Sequence, residues 1–167
     1  IGNDAPSLLY VLTKLVTVAY AIESIHQQGS LHLDIKPENI LIDHRGVPRV
    51  IDVGMAQHQQ GKLKCLSVTP GTPEYMAPEQ FVGDVSRIGV GADVYGLGAV
   101  LFRILSGQTV RDESRVNLEP DWRLLRNSPW RLRRICEKAL ALHHEQRYKS
   151  VNAFAQDLEK FIQTNHQ

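Results

Sequence analysis

The N-terminal part of the chain joins a long helical pattern to a short hairpin pattern, and this combination most constrains the fold. Between Ser7 and Gln28 apolar residues recur at helical spacing, which predicts one long amphipathic helix that ends at Gly29. The short β-branched runs 40–42 and 49–51 flank a turn-rich joint and predict a small hairpin. The polar stretch with Asp34, Lys36 and Asn39 therefore lies between a long helix and a hairpin.

The remaining periodic segments of the chain are helical. Pro78 suits the first turn of one helix, and the helical pattern of 93–105 ends at Gly107. A further pattern covers 129–142, and Ser150 is the predicted N-cap of the last helix. Residues 53–76 show little periodicity and are predicted to form a long surface loop, a kind of segment that is usually functional. No internal repeat or Gly/Ser linker divides the sequence, so we expect one domain over residues 1–167, mainly α-helical with a small β-hairpin.

The composition argues against several classes of protein. A net charge of +1 provides no overall field that would attract nucleic acid or an anionic membrane. Cys65 and Cys136 lie far apart without a C-x-x-C pair, which fits a reducing compartment. Lys14 and Glu23 interrupt the longest apolar stretch, and no signal-peptide pattern is present. We therefore expect a cytoplasmic location, with no membrane segment in this chain and no nucleic-acid partner.

Three short motifs follow one another along the chain. HLDIKPEN occupies residues 32–39, DVG residues 52–54 and APE residues 77–79. Any one of them suits an ordinary turn, because Asp, Pro and Asn are common turn formers. Their order and spacing resemble the catalytic loop, the D-F-G and the A-P-E of Ser/Thr protein kinases, and the later helices are most similar to the bacterial members. The resemblance implies the large C-terminal lobe, with a catalytic loop at 31–39 and an activation segment at 52–79.

The resemblance implies transfer of the γ-phosphoryl group of ATP to a protein Ser or Thr hydroxyl, and the residue types suit that chemistry. Asp34 can orient the substrate hydroxyl, and Lys36 can face the negative phosphoryl group. Asn39 and Asp52 offer hard oxygen ligands for Mg²⁺. Leu41 resembles the residue that lies under adenine, although ordinary hairpin packing explains it equally well.

Further residues resemble family positions that support the site. A lysine at the position of Lys36 goes with Ser/Thr rather than Tyr substrates, and Thr72 resembles a threonine that supports the same loop. Asp93 resembles the carboxylate that accepts backbone N–H groups from the catalytic loop, although an N-cap alone would also explain it. Glu79 and Arg147 resemble an ion pair, which we expect to be largely buried and structural.

Some substitutions depart from the family pattern. Leu33 replaces the arginine before the catalytic aspartate, and Gln57 occupies a position where a basic residue is common. Neither can clamp a phosphate, so we expect the loop to be ordered by neutral contacts rather than by phosphorylation of Ser67 or Thr69. Val53 replaces the phenylalanine of D-F-G and leaves the metal ligand beside it in place.

The small N-terminal lobe of the family, with its Gly-rich loop and strand lysine, has no counterpart in this sequence. The segments Gly89-Val90-Gly91 and Gly96-Leu97-Gly98 lack the third glycine of G-x-G-x-x-G and are interpreted as packing glycines. Half of the nucleotide site would then be absent. We expect the isolated chain to bind ATP weakly and to have little or no activity until a small lobe is supplied in cis or in trans.

Other interpretations were weighed against the kinase lobe. A non-catalytic interaction module, a pseudokinase, stays open, although the presence of all four predicted catalytic and metal-binding residues argues against it. The sequence 144–148 begins like a zinc-binding H-E-x-x-H but ends in tyrosine, so it predicts no metal pair. The arginines between 123 and 134 are better interpreted as a solvated helical face than as an RNA-binding surface.

Overall fold

The computed structural model describes residues 6–52, 56–59, 62–64, 71–111 and 119–165. The α-helices in these ranges are α1 (Leu8–Gln27), α2 (Pro78–Phe81), α3 (Val90–Ser106), α4 (Trp130–Ala139) and α5 (Val151–Asn165). Short 3₁₀ turns lie at Pro37–Asn39, Val85–Arg87, Trp122–Leu125 and His144–Gln146. The fold is mainly α-helical, as the sequence predicts.

Short antiparallel strands complete the described part of the fold. They are β1 (Ser30–Leu31), β2 (Ile40–Ile42), β3 (Pro48–Val50), β4 (Ala56–Gln59) and β5 (Lys62–Lys64). β2 and β3 form the predicted hairpin, with Ile40 opposite Val50. β1, β4 and β5 form a second sheet in the order β1-β4-β5. The prediction of an irregular loop over 53–76 is therefore wrong at β4 and β5, whose mainly polar sequences carry no hydrophobic alternation to reveal a strand.

Helix α1 packs one face into the hydrophobic core. Its N-cap is Ser7, whose hydroxyl accepts a hydrogen bond from Tyr10 N at 3.2 Å. Its polar edge contacts α5, where Asn152 N donates to Glu23 Oε2 at 2.9 Å. Contrary to the expectation from the sequence, α1 has the length and the mean hydropathy, 1.6, of a membrane span. The apolar residues that it buries in the core are Leu12, Leu15, Val16, Val18, Ala19 and Ile22.

Helix α3 lies at the centre of the molecule. Every residue from 92 to 102 is buried, so this helix has partners on all sides. It ends at Gly107, which adopts the left-handed conformation (φ 74°) that glycine accommodates without strain. The predicted stop is therefore confirmed.

Two glycines of α3 allow other elements to approach closely. A Cβ atom at Gly98 would lie 2.7 Å from Ala139 Cβ, and one at Gly96 would lie 3.0 Å from Ile35 Cβ. The interpretation as packing glycines is confirmed at these two positions. It is wrong for Gly89, where a Cβ would meet nothing within 4 Å.

The arginines of the region 123–134 are mostly exposed, and their charge is partly neutralised by neighbouring carboxylates. Arg123 Nη2 donates to Asp121 Oδ2 at 2.8 Å, and Arg133 Nε donates to Glu137 Oε1 at 2.8 Å. These pairs reduce the positive charge that a phosphate backbone would encounter. The geometry agrees with a solvated helical face.

Candidate active site

Asp93, in the first turn of α3, holds the segment 31–39 by its backbone. Its Oδ1 accepts a hydrogen bond from Leu33 N at 2.8 Å, and its Oδ2 accepts one from His32 N at 2.9 Å. Leu33 has a φ of 65°, a left-handed conformation that is unfavourable for a bulky side chain. The buried carboxylate of Asp93 therefore stabilises a strained turn directly before Asp34.

His26, near the end of α1, is a second anchor for Asp93. Its Nε2–H donates to Asp93 Oδ2 at 2.6 Å, and the side chain is only 7% exposed. Among the described residues, its Nδ1 has no hydrogen-bond partner. His26 could not be predicted from the sequence, since a single histidine in the last turn of an amphipathic helix belongs to no motif.

Asp34, Lys36 and Thr72 form a closed polar cluster. Thr72 Oγ1 donates to Asp34 Oδ1 at 2.8 Å, and Lys36 Nζ donates to Thr72 Oγ1 at 2.6 Å. Lys36 Nζ also lies 3.1 Å from Asp34 Oδ2. The structure therefore brings these three predicted residues together, from two segments that are more than thirty residues apart.

The surroundings of Asp34 keep its carboxylate ionised. Burial alone would raise the pKa of Asp34. Hydrogen bonds from Thr72, Lys36 and Asn39, together with the charge of Lys36, outweigh this effect and hold the pKa below its ordinary value. At neutral pH the group is an anion that can accept and orient the hydrogen of an incoming hydroxyl.

His32 joins the segment 31–39 to the hairpin. Its Nε2–H donates to Ile51 O at 3.1 Å, and its Nδ1 accepts a hydrogen bond from Asp34 N at 3.2 Å. These two bonds require the proton on Nε2, with Nδ1 as an acceptor. The fully buried imidazole thus fixes the backbone of Asp34 relative to β3.

Asn39 and Asp52 lie at the same end of the hairpin. Ile51 N donates to Asn39 O at 3.0 Å, and Asp52 is the next residue. The hydrogen bonds of the Asn39 amide use Nδ2, which donates to Asp34 O at 2.8 Å and to its Oδ2 at 3.1 Å. The Asn39 Oδ1 and the exposed Asp52 carboxylate are left as hard oxygen donors.

This donor set fits a Mg²⁺ ion that keeps most of its shell from water and phosphate. In the part of the chain that the structure describes, no group of three or more His, Cys, Asp or Glu residues is arranged to hold a metal. A fully protein-bound metal would need such a group, whereas a nucleotide-bound Mg²⁺ needs only one or two protein ligands. Asn39 and Asp52 therefore suit the second kind of site.

Glu79 and Arg147 form the predicted ion pair. Arg147 Nη1 donates to Glu79 Oε1 at 2.7 Å and Nη2 donates to Oε2 at 2.9 Å. Arg147 is 1% exposed and Glu79 is 6% exposed. Arg147 also donates to the carbonyl oxygens of Gly91, Ala141 and Leu142. The pair therefore attaches α2 to α3 and to the loop after α4.

Two neighbouring apolar residues of β2 are open to solvent. Leu41 is 53% exposed and Ile42 is 54% exposed. The interpretation of Leu41 as ordinary hairpin core is therefore wrong. Val53, Ser67 and Thr69 lie outside the described residues, and the side chain of Gln57 is likewise not described.

Two further contacts at the site carried no signal in the sequence. Gln80 Nε2 donates to Leu33 O at 2.8 Å, and Gln80 Oε1 accepts a hydrogen bond from Ala77 N at 3.1 Å. Arg111 donates to backbone carbonyl oxygens of the segment 73–76. Both side chains bind main-chain atoms, which a sequence pattern cannot display.

The comparison with known proteins agrees with this geometry. A family model described as the protein kinase domain matches residues 11–164. The chain is 40% identical over 108 residues to the DNA damage-responsive serine/threonine-protein kinase RqkA of Deinococcus radiodurans. That match covers 63% of this chain and 16% of the relative. The chain is 34% identical over 157 residues to the serine/threonine-protein kinase C of Synechocystis. This second match covers 87% of this chain and 28% of the relative.

A third relative is the serine/threonine-protein kinase PknD of Protochlamydia amoebophila, which is 28% identical over 187 residues. That match covers 94% of this chain and 19% of the relative. The chain thus spans between 16% and 28% of the length of these three curated relatives. Because the family model matches almost the whole chain, this protein belongs to the protein kinase domain family, and it is similar to the bacterial Ser/Thr kinases of that family.

Proposed function

We propose that this chain is the large lobe of a Ser/Thr protein kinase that transfers the γ-phosphoryl group of ATP to a protein Ser or Thr hydroxyl. The observation that carries the proposal is the closed cluster of Asp34, Lys36 and Thr72, in which a carboxylate and an ammonium group are held together beside two oxygen donors for a cation. Phosphoryl transfer requires mainly positioning and charge neutralisation, and these groups provide both.

In the proposed reaction the substrate hydroxyl donates a hydrogen bond to the Asp34 carboxylate, which directs the hydroxyl oxygen at the γ-phosphorus. A new bond forms between that oxygen and the γ-phosphorus while the bond to the β,γ-bridging oxygen breaks. ADP leaves, and the hydroxyl proton is released by way of Asp34. Lys36 offsets the negative charge of the γ-phosphoryl group, which would otherwise repel the incoming oxygen. Thr72 holds Asp34 and Lys36 in position relative to each other, because its hydroxyl bonds to both side chains.

We propose that Asn39 and Asp52 hold Mg²⁺, which would neutralise phosphate charge when the nucleotide is bound. Leu41 offers an exposed apolar surface on which adenine can lie, and its 53% exposure supports this role. The protein substrate would lie against the activation segment 52–79. Since ATP is an intracellular metabolite, we also propose a cytoplasmic site of action.

This surface covers only one side of a nucleotide. We therefore propose that a small kinase lobe, in cis or in trans, completes the cleft, and that the 167-residue chain by itself binds ATP weakly.

The test is a phosphoryl-transfer assay on this chain joined to the small lobe of a bacterial Ser/Thr kinase, with a generic protein substrate. The substitution Asp34→Asn keeps the shape of the side chain and removes its charge. We expect the rate to fall by at least about a hundredfold, because a positioned acid or base contributes about 10²–10⁴-fold.

The matched control is Asp84→Asn, which makes the same chemical change at a partly exposed aspartate in the segment after α2. Its rate should equal that of the parent. Equal rates in Asp34→Asn and the parent would contradict the role of Asp34. A parent that binds ATP but transfers no phosphoryl group would favour the non-catalytic pseudokinase instead.

A further inference from the structure

Arg111 is a buried cation in the segment that follows α3. Only 5% of the residue is exposed. No ion pair joins it to a carboxylate in the part of the chain that the structure describes. Burying a charge is unfavourable unless other groups compensate it, so the contacts of this side chain are informative.

The guanidinium group binds the main chain just beyond Thr72. Arg111 Nη1 donates to Pro73 O at 3.1 Å and to Met76 O at 2.6 Å. The chain makes a turn here over 72–76, in which Tyr75 N and Met76 N both donate to Thr72 O. One nitrogen atom of Arg111 therefore binds two carbonyl groups of the same turn.

Aromatic rings supply further compensation, whereas Arg111 Nε has no hydrogen-bond partner among the described residues. The guanidinium carbon lies 5.0 Å from the centre of the Phe81 ring and 5.7 Å from that of Tyr95. Arg111 Nη2 also donates to the Tyr95 hydroxyl at 3.4 Å. The carbonyl dipoles and ring faces thus offset part of the buried charge.

The turn that Arg111 holds is connected directly to the cluster around Asp34. Thr72, at its start, donates to Asp34 and accepts from Lys36. Gly71 packs tightly beneath the turn, since a Cβ there would lie 2.8 Å from Met76 Cγ and 3.0 Å from Leu33 O. A shift of the turn would therefore move Thr72 relative to the carboxylate.

We propose that Arg111 is a positioning residue that clamps the segment 72–76 against the segment 31–39 and so determines the affinity for the protein substrate. This inference rests on the proposed kinase function. The clamp is a permanent cation on the protein itself and does not require phosphorylation of the loop. It would add a charged contact to the contacts that we expect from the sequence to order this segment.

The kinetic test uses Arg111→Met and Arg111→Lys in the chain joined to a small lobe. Methionine fills the space without donors, and lysine keeps the charge but lacks the planar fork. In both variants we expect the KM for the protein substrate to rise at least about tenfold, while the KM for ATP stays within about twofold of the parent. The control is Arg87→Met, an exposed arginine after α2, which should match the parent.

A second measurement does not depend on activity. Amide hydrogen exchange at Tyr75 and Met76 reports the turn itself, and we expect faster exchange in both Arg111 variants with unchanged exchange in α1. Unchanged substrate KM and unchanged exchange at these amides would overturn the proposal. An equal rise of both KM values with uniformly faster exchange would show a merely structural role and would overturn it too. A parent without transfer activity would instead contradict the proposed function.

Discussion

At the scale of single residues, burial tends to raise the pKa of Asp34, and the hydroxyl group of Thr72 is among the groups that oppose this effect. Thr72 Oγ1 is the largest of the hydrogen-bonding contributions that lower the pKa of this carboxyl. Since the folded protein holds the Asp34 proton less tightly than the unfolded chain, ionisation of Asp34 stabilises the fold at pH values above the ordinary pKa of about 3.9. This contribution is lost as the pH falls through the lowered pKa of the folded state.

We therefore predict that Thr72→Val raises the pKa of Asp34 and reduces the free energy of unfolding at pH 7 by about 1–2 kcal/mol. The difference from the parent should shrink as the pH falls through the Asp34 pKa. Carboxyl NMR titration and urea unfolding at several pH values measure the two effects. Thr17→Val, at an exposed position of α1, is the control. A difference in stability that is independent of pH would contradict the prediction.

Arg147 allows a prediction about folding stability. Arg147→Ala would leave the buried Glu79 carboxylate without its partner and would also remove bonds to three carbonyl groups. We expect the free energy of unfolding to fall by about 3–5 kcal/mol. Arg87→Ala, at an exposed pair with Asp84, should change it by less than about 1 kcal/mol. A thermal melt of Arg147→Ala that matches the parent would show that the pair contributes nothing.

The residues that could be predicted from the sequence are those that belong to motifs with a fixed spacing. The residues that were missed belong to no motif and bind groups that are distant along the chain. Thr72, Asp93 and Arg147 contact the groups that the motifs suggested. Arg111 binds carbonyl oxygens 35 and 38 residues away, and every residue type has such oxygens. His26 reaches an aspartate 67 residues away. Only the folded chain brings these groups together.

At the scale of elements, the distance between α3 and α4 depends on Gly98. Its missing side chain leaves room for Ala139, whose Cβ atom is rigidly attached to the backbone. We predict that Gly98→Ala lowers the free energy of unfolding by about 1–3 kcal/mol, because overpacking outweighs the better helix propensity of alanine. Chemical denaturation measures this change.

The matched control for this prediction is Gly91→Ala in the same helix. A Cβ there would meet His144 Cβ at 3.5 Å, which is an ordinary contact. That substitution should be neutral or stabilising by up to about 1 kcal/mol. Equal effects at positions 91 and 98 would show that helix propensity, and not the approach of α4, determines the outcome.

The elements that the sequence predicted well are those with a strong pattern of their own. α1 and the β2–β3 hairpin agree with the predictions to within about two residues, because their periodicity and turn residues are local signals. β4 and β5 were missed, since β4 pairs with β1 and β5 pairs with β4, and neither strand has an alternation of apolar residues that would indicate it in the sequence. Tertiary pairing determined these strands, and local propensity did not.

At the scale of the whole molecule, α3 joins the parts of the site. Asp93 at its start holds the segment 31–39. Tyr95, two residues further on, contacts the guanidinium groups of both Arg111 and Arg147 with its ring. Burial raises the pKa of the Tyr95 hydroxyl, so the ring stays neutral beside both cations. One helix thus connects the loop that carries Asp34 to the segment that would receive the substrate.

The packing of α1 against α5 has a consequence for biosynthesis. The hydrogen bond from Tyr20 to Glu159 joins residues that are 139 positions apart. At roughly 5–20 residues per second, a ribosome needs on the order of 10 s to make the chain between them. During that time the apolar residues of α1, a helix with a mean hydropathy of 1.6, have no partner from α5. A nascent chain of this kind depends on chaperones, or on transient contacts with its own earlier segments, until its last helix has emerged.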